Sequence, residues 1–228
     1  MKKQIWLFRY FSRFELCLWI GSLLTITLFF FLFDRSSPVS LIASLVGVTA
    51  IIFCAKGNPI GQGLMIIFAV LYAFISISYA YYGELMTYVG MSLPMAVFSL
   101  ISWMRNPYKG NKAEVKVSRL SLRDGVLIGL LSVVVTVVFY FLLKWLGTAN
   151  LWVSTFSVTT SFIAASLTYR RSPWFSLAYA ANDVVLIILW SLAMLEDPSY
   201  ISVTVCFAVF LANDLYSFVN WRRMQKRQ

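Results

Sequence analysis

No histidine occurs among the 228 residues. The commonest metal ligand and the side chain that titrates nearest neutral pH are thus missing, which argues against a membrane metalloprotease or a haem protein. Cysteine is scarce: Cys17, Cys54 and Cys206 lie far apart inside apolar runs, form no CxxC spacing, and read as reduced packing residues. Charge is scarce as well, at 12% against about 25% in soluble domains. What replaces it is apolar, 60% of the chain, with a mean hydropathy of +0.78. These features define an integral membrane protein. About 20 apolar residues are needed per helical crossing, because backbone groups in lipid must be satisfied within their own segment. The length therefore allows seven or eight crossings and leaves no room for a soluble domain. The fold class expected is all-α, a polytopic membrane protein.

Apolar runs punctuated by Pro, Gly and charge place eight candidate spans at 15–33, 38–55, 61–82, 86–104, 125–146, 150–169, 173–194 and 199–219. The only long connection is 105–124. The opening MKKQIWLFRYFSRFE reads as a basic interfacial segment rather than a signal peptide, since its apolar stretch is too long and no A-x-A site follows. Lys and Arg divide unevenly between alternate loops, 17 on the side of the termini and the long loop against Arg35 and Lys144 on the other. The bias toward basic cytoplasmic loops puts both termini in the cytoplasm and supports an even number of spans. It also accounts for the net charge of +10 without any nucleic-acid partner.

The chain half repeats itself. Pro59 to Arg105 holds a Pro-started helix, an acidic outer loop at Glu84 and the ending Ser-Leu-Ile-Ser-Trp-Met-Arg; Pro173 to Arg223 repeats that plan with Glu196 and Ser-Phe-Val-Asn-Trp-Arg-Arg. Adding one helix to each gives triplets with the same direction through the bilayer. The expected organisation is 1–37, a basic N-terminus and an extra helix; 38–104, a first three-helix repeat; 105–149, a loop and linker helix; 150–221, a second repeat; and 222–228, a basic cytoplasmic tail. Parallel repeats are a known transporter plan, with the substrate site at the repeat interface.

Two Ala-Asn-Asp triplets fall inside the last two spans. A carboxylate at mid-membrane costs about 2.5–3.5 kcal/mol even on lenient scales, so Asp183 and Asp214 each need a partner, a cavity or a proton. Asn182 and Asn213, one position earlier, point about 100° away. Tyr179 shares a face with Asp183, and Tyr216 with Asn213. Trp190, Asn220 and, more weakly, Thr159 from a hydroxyl-rich sixth span complete the candidate cavity set. The plain alternative is interhelical hydrogen bonding with protonated Asp. An aspartate dyad enzyme is set aside, because no nucleophile motif accompanies the acids. Aromatic rings beside amides and carboxylates suit a planar, polyhydroxylated ligand. A phosphorylated one would require Arg or Lys at mid-span, and the spans have none there.

In FLANDLYSFVNWRRM, the order Asn213, Tyr216, Asn220, Trp221, Arg222 resembles the closing helix of the PnuC family of nicotinamide riboside transporters. Leu93-Pro94-Met95, Trp103 and the Thr/Ser-rich span ending Tyr169-Arg170-Arg171 extend that resemblance over most of residues 38–223. The family's Trp-x-x-Trp-x-x-x-Asn/Asp pattern is here Ser176, Tyr179 and Asp183, while Ala96 and Leu100 stand where a Gln and a further Trp are usual. The resemblance implies a 3+1+3 core behind one N-terminal helix, a plan related to the SWEET sugar transporters. It implies uptake of nicotinamide riboside by facilitated diffusion with alternating access in a bacterial plasma membrane. It implies no cofactor, a homotrimer, and a cytoplasmic kinase that traps the product for NAD synthesis. Thiamine or riboflavin as cargo, a vitamin-binding subunit of an ATPase-driven importer and a structural scaffold are the readings left open.

Overall fold

Several of the long apolar runs begin at a residue that satisfies, or lacks, one of the first free backbone N–H groups. In α1 (Arg13–Phe33) Ser12 and Glu15 close a capping box, and Ser121 and Asp124 do the same for α5 (Leu122–Trp145). Proline starts α2 (Pro38–Ala55) and α3 (Pro59–Ser78), where its missing N–H has no consequence. With α4 (Tyr82–Met104), α6 (Leu151–Tyr169), α7 (Trp174–Met194) and α8 (Ile201–Arg227), the computed structural model contains eight helices long and apolar enough to cross a membrane among its described residues. Those residues are 10–34, 37–78 and 82–228. The start of the expected interfacial segment, with Lys2, Lys3 and Arg9, and the outer-loop Arg35 lie outside them.

Six helices form a closed ring through the pairs α2–α3, α3–α4, α4–α6, α6–α7, α7–α8 and α8–α2. α1 packs outside against α2 and α8, and α5 packs outside against α6. One end of the bundle is basic, with ion pairs Lys56–Glu15 at 3.2 Å and Arg170–Asp124 at 2.6 Å. The other end holds Asp34, Glu84, Glu196 and Asp197.

A buried cluster including Trp103, Trp221, Phe175, Cys54, Leu167 and Val115 seals the ring at the basic end. Trp103 Nε1 donates to Thr168 O at the end of α6 (2.9 Å), and Trp221 Nε1 donates to Cys54 O at the end of α2 (2.8 Å). The two indoles meet with ring centroids 5.3 Å apart. Beyond them, residues 114–118 run across the helix ends: Val115 N–H donates to Gly57 O, Ser118 N–H to Arg171 O, and Val117 N–H to the Gln228 side chain. An ion pair between Arg227 and Glu114 holds the same segment to α8.

Three features depart most from the sequence expectation. The loop 105–124 is not structureless: β1 (Pro107–Tyr108) and β2 (Asn111–Val115) pair as a small antiparallel hairpin, so the fold is all-α apart from this ribbon. The third helix ends at Ser78, and Tyr82, expected at its end, begins α4. The last helix runs to Arg227 rather than stopping near 219, because nothing in Arg-Arg-Met-Gln-Lys-Arg breaks a helix and its end has no need to stay in lipid. α4 also widens into a π-turn at Tyr88–Ser92, where Leu93 N–H bonds back to Tyr88 O. Pro94 follows at once; it has no N–H to donate to the preceding turn, and its ring presses on that turn.

Close backbone approach between α2 and α3 depends on Gly61. A Cβ there would lie 2.6 Å from Cys54 N and 2.8 Å from Ala50 O, both backbone atoms that cannot rotate away. Gly61→Ala is expected to destabilise the protein by about 1–3 kcal/mol, measured as a fall in the thermal unfolding midpoint in detergent.

Candidate functional site

Inside the ring lies a cavity of about 570 Å³. Its wall reaches the acidic end at Glu84, the 147–150 loop and Glu196, and ends near Cys54 and Phe175, just short of the Trp103–Trp221 seal. The cavity therefore opens toward the acidic end.

α7 supplies Tyr179, Asn182, Asp183 and Trp190 to the wall, and α8 supplies Asp214. Ser157 and Thr160 of α6 both donate to Asn182 Oδ1, at 3.2 and 2.8 Å. That fixes the amide and leaves its nitrogen as the end able to donate to a ligand. Asp183 and Asp214 are 4% and 5% exposed, and both line the cavity. Asp183 Oδ2 has no partner at all among the described residues.

The opposite wall belongs to α3 and α4. Tyr72 and Tyr88 stack with centroids 5.1 Å apart and planes 30° apart, and Phe68 lies 4.7 Å from Tyr72. On the α7 side, Trp190 faces Tyr200 at 5.2 Å. Gln62 adds an amide near the closed end, donating to Cys54 Sγ at 3.2 Å. Among the described residues four carboxyl groups, those of Glu84, Asp183, Glu196 and Asp214, line the cavity, whereas no Lys or Arg does.

The other four candidate residues lie away from this wall. Thr159 meets Thr136 of α5 at 2.7 Å on the outer side of α6. Asn213 is fully buried and donates to Ser22 of α1 at 2.9 Å. Tyr216 donates to Glu15 Oε1 at 2.7 Å, and Asn220 donates to Ala55 O at 2.8 Å. Positions 213, 216 and 220 follow the helical repeat along the α8 face turned to α1 and α2, while 207, 210 and 214 follow the cavity face. Thr159→Val is accordingly expected to leave ligand affinity unchanged while costing about 0.5–1.5 kcal/mol for the lost hydrogen bond, as thermal unfolding would record.

Sequence reasoning missed the first-half contribution, Gln62, Tyr72, Glu84 and Tyr88. It also missed Glu15, 3% exposed at the start of α1, where Ser12 N–H, Lys56 and Tyr216 all donate to its carboxylate. The Ser-x-x-Glu capping signature was the available signal for Glu15.

Residues 37–223 match the family described as nicotinamide mononucleotide transporter. A relative from Neisseria mucosa named nicotinamide riboside transporter PnuC is 26% identical over 225 residues, covering 97% of this chain and 85% of the relative. One of the same name from Haemophilus influenzae is 21% identical over 213 residues, covering 92% and 90%. The crystal structure of the vitamin B3 transporter PnuC superposes with a TM-score of 0.81 at 25% identity, covering 95% of this chain and 94% of that one.

Proposed function

We propose that this chain, which belongs to the nicotinamide mononucleotide transporter family, carries nicotinamide riboside across a bacterial plasma membrane through the cavity inside its ring. The family description names the nucleotide and the curated relatives name the riboside; the charge of the wall favours the riboside. A phosphate entering a low-dielectric pocket requires Arg, Lys or a similar set of donors, and here the charged side chains it would meet among the described residues are acidic. The riboside carries instead a fixed positive charge on its pyridinium ring. Acidic groups and the faces of Tyr72, Tyr88, Tyr179 and Trp190 attract such a cation, and the amides of Gln62 and Asn182 suit the ribose hydroxyls and the carboxamide.

Alternating access between two parallel three-helix repeats, 38–104 and 150–221, completes the reading. It draws support from features that recur at matching places. Trp103 bonds to the end of α6 and Trp221 to the end of α2; Gly57 and Arg171, just past those ends, both have positive φ. The pairs α4–α6 and α8–α2 are the two seams between the repeats. The basic end faces the cytoplasm in this reading, which places the open mouth outside. A homotrimer and a cytoplasmic riboside kinase that traps the cargo follow from the family resemblance. The exposed face of α5 is a surface available for assembly.

Calorimetric titration of the detergent-purified chain with nicotinamide riboside, nicotinamide mononucleotide, thiamine and riboflavin tests the cargo. The riboside is expected to bind and the mononucleotide to bind at least about 100-fold more weakly, the consequence of roughly 3 kcal/mol of uncompensated phosphate burial. Preference for the mononucleotide, or for one of the other vitamins, would overturn the assignment. Uptake by vesicles holding the chain alone separates a transporter from a binding subunit.

A further inference from the structure

We propose that a second, smaller pocket, at the basic end of the bundle, holds the phosphate of an anionic phospholipid and so braces the contact between α8 and α2. The inference stands apart from the cargo cavity and does not depend on which vitamin is carried.

The pocket measures about 210 Å³ and lies between the turn after α2, β2 and the last turns of α8. That is below the roughly 300–1,000 Å³ of sites that enclose a whole drug-sized molecule, so it admits a headgroup rather than a vitamin or a nucleotide. Asn220, Arg223, Met224 and Arg227 follow the helical repeat and present one face of α8 to it. Lys56 meets them from the α2–α3 turn and Glu114 from β2.

Charge decides what fits. Lys56 is paired with Glu15 and Arg227 with Glu114, whereas Arg223 makes no ion pair among the described residues. Three cations set against two carboxylates leave one positive charge without a counter-ion. A phosphodiester carries one negative charge and balances it. A phosphate monoester carries about −1.5 to −2 at neutral pH and leaves an excess beside the two carboxylates. The guanidinium of Arg223 also offers a planar fork of donors, which suits two oxygens of one phosphate.

The depth of the pocket points to a lipid as the source. α2 ends at Ala55, one residue before Lys56, and α8 turns from apolar to charged after Trp221. The pocket therefore lies where the hydrocarbon gives way to headgroups. Leu215 and Val219 stand two turns and one turn before Arg223 along the same side of α8, and both are exposed. Phe14 of α1, also exposed, packs on Tyr216 next to Leu215. An acyl chain can follow this apolar strip away from a headgroup seated on Arg223, whereas a soluble phosphate has no use for it. With the phosphate in place, one anion ties α8 to the turn after α2, across the contact that closes the ring.

Native mass spectrometry and thermal unfolding of the full chain in detergent, with phosphatidylglycerol or phosphatidylcholine added, test the assignment. Phosphatidylglycerol is expected to stay on the chain as one tightly held molecule and to raise the unfolding midpoint more than phosphatidylcholine does. Arg223→Gln is expected to weaken that lipid by about fivefold and Arg223→Glu by about 30-fold, the attraction lost with one and two units of charge. Arg222→Gln makes the same change of charge one position earlier, where Arg222 lies over the Trp174 ring, and is expected to retain the lipid. Equal retention of the two lipids by the wild-type chain overturns the proposal. So does a loss that is the same in the Arg222 and Arg223 variants, or absent from both. Inorganic phosphate that matches the stabilisation by phosphatidylglycerol at equal ionic strength overturns it as well, by giving the pocket to a soluble anion.

Discussion

Trp221→Ala is expected to destabilise the protein by about 3–5 kcal/mol, the range for truncating a fully buried large aromatic. The indole is completely buried, packs on Phe175 at 4.8 Å and on Trp103 at 5.3 Å, and donates to Cys54 O. Truncation opens a void in the seal and removes one of the two donors to that carbonyl, leaving the Gly57 N–H. Trp221→Phe keeps most of the volume and is expected to cost about 0.5–1.5 kcal/mol, chiefly for the lost hydrogen bond. Thermal unfolding in detergent measures both. A second readout is chemical: in a Cys17→Ser background, Cys54 of the alanine variant is expected to react faster with maleimide, since it sits where the cavity meets the seal. Unchanged midpoint and unchanged labelling would show that the indole pair does not close this end.

The second large effect concerns binding. Tyr88→Ala is expected to weaken the riboside by about 10- to 30-fold, equivalent to about 1.4–2 kcal/mol for one aromatic face on a desolvated cation. Tyr88 and Tyr72 form the stacked platform opposite Asp183 and Asp214, and the π-turn just before Pro94 sets the direction of Tyr88. Tyr88→Phe keeps the ring and is expected to change affinity by less than about threefold, within the scatter of small polar substitutions. Equal affinity in the alanine variant would remove this wall from the site.

Much of this architecture was readable before any coordinates. Helix number and approximate limits follow from lipid thickness, which imposes the same length on every span. The buried acids of α7 and α8 were visible because a carboxylate in an apolar run is costly enough to require an explanation. Tyr72 and Tyr88 carry no such cost, and in a chain with 12 tyrosines nothing marked those two. The facing of Asn213 against Asp214 was equally hidden, since a difference of about 100° has meaning only once the neighbours of α8 are known. α1 and α2 lie on the Asn213 side, and α1, the span outside the expected core, turns out to hold its partner. The hairpin in the long loop left a legible trace in Lys109-Gly110, whose positive φ values of 46° and 79° fit the tight turns that join such strands. The number of basic residues in that loop drew attention to orientation instead.

Residues 114–118 join the ends of three helices through backbone groups, and Val115 within them is wholly buried. A motion that parts this segment from the ends of α2 and α6 must detach the amides of Val115 and Ser118 from their carbonyls. Deuterium uptake at those two positions thus acts as a built-in clock for opening of the basic end, readable by mass spectrometry without labels. Its rate with and without cargo would report whether binding in the cavity alters that opening.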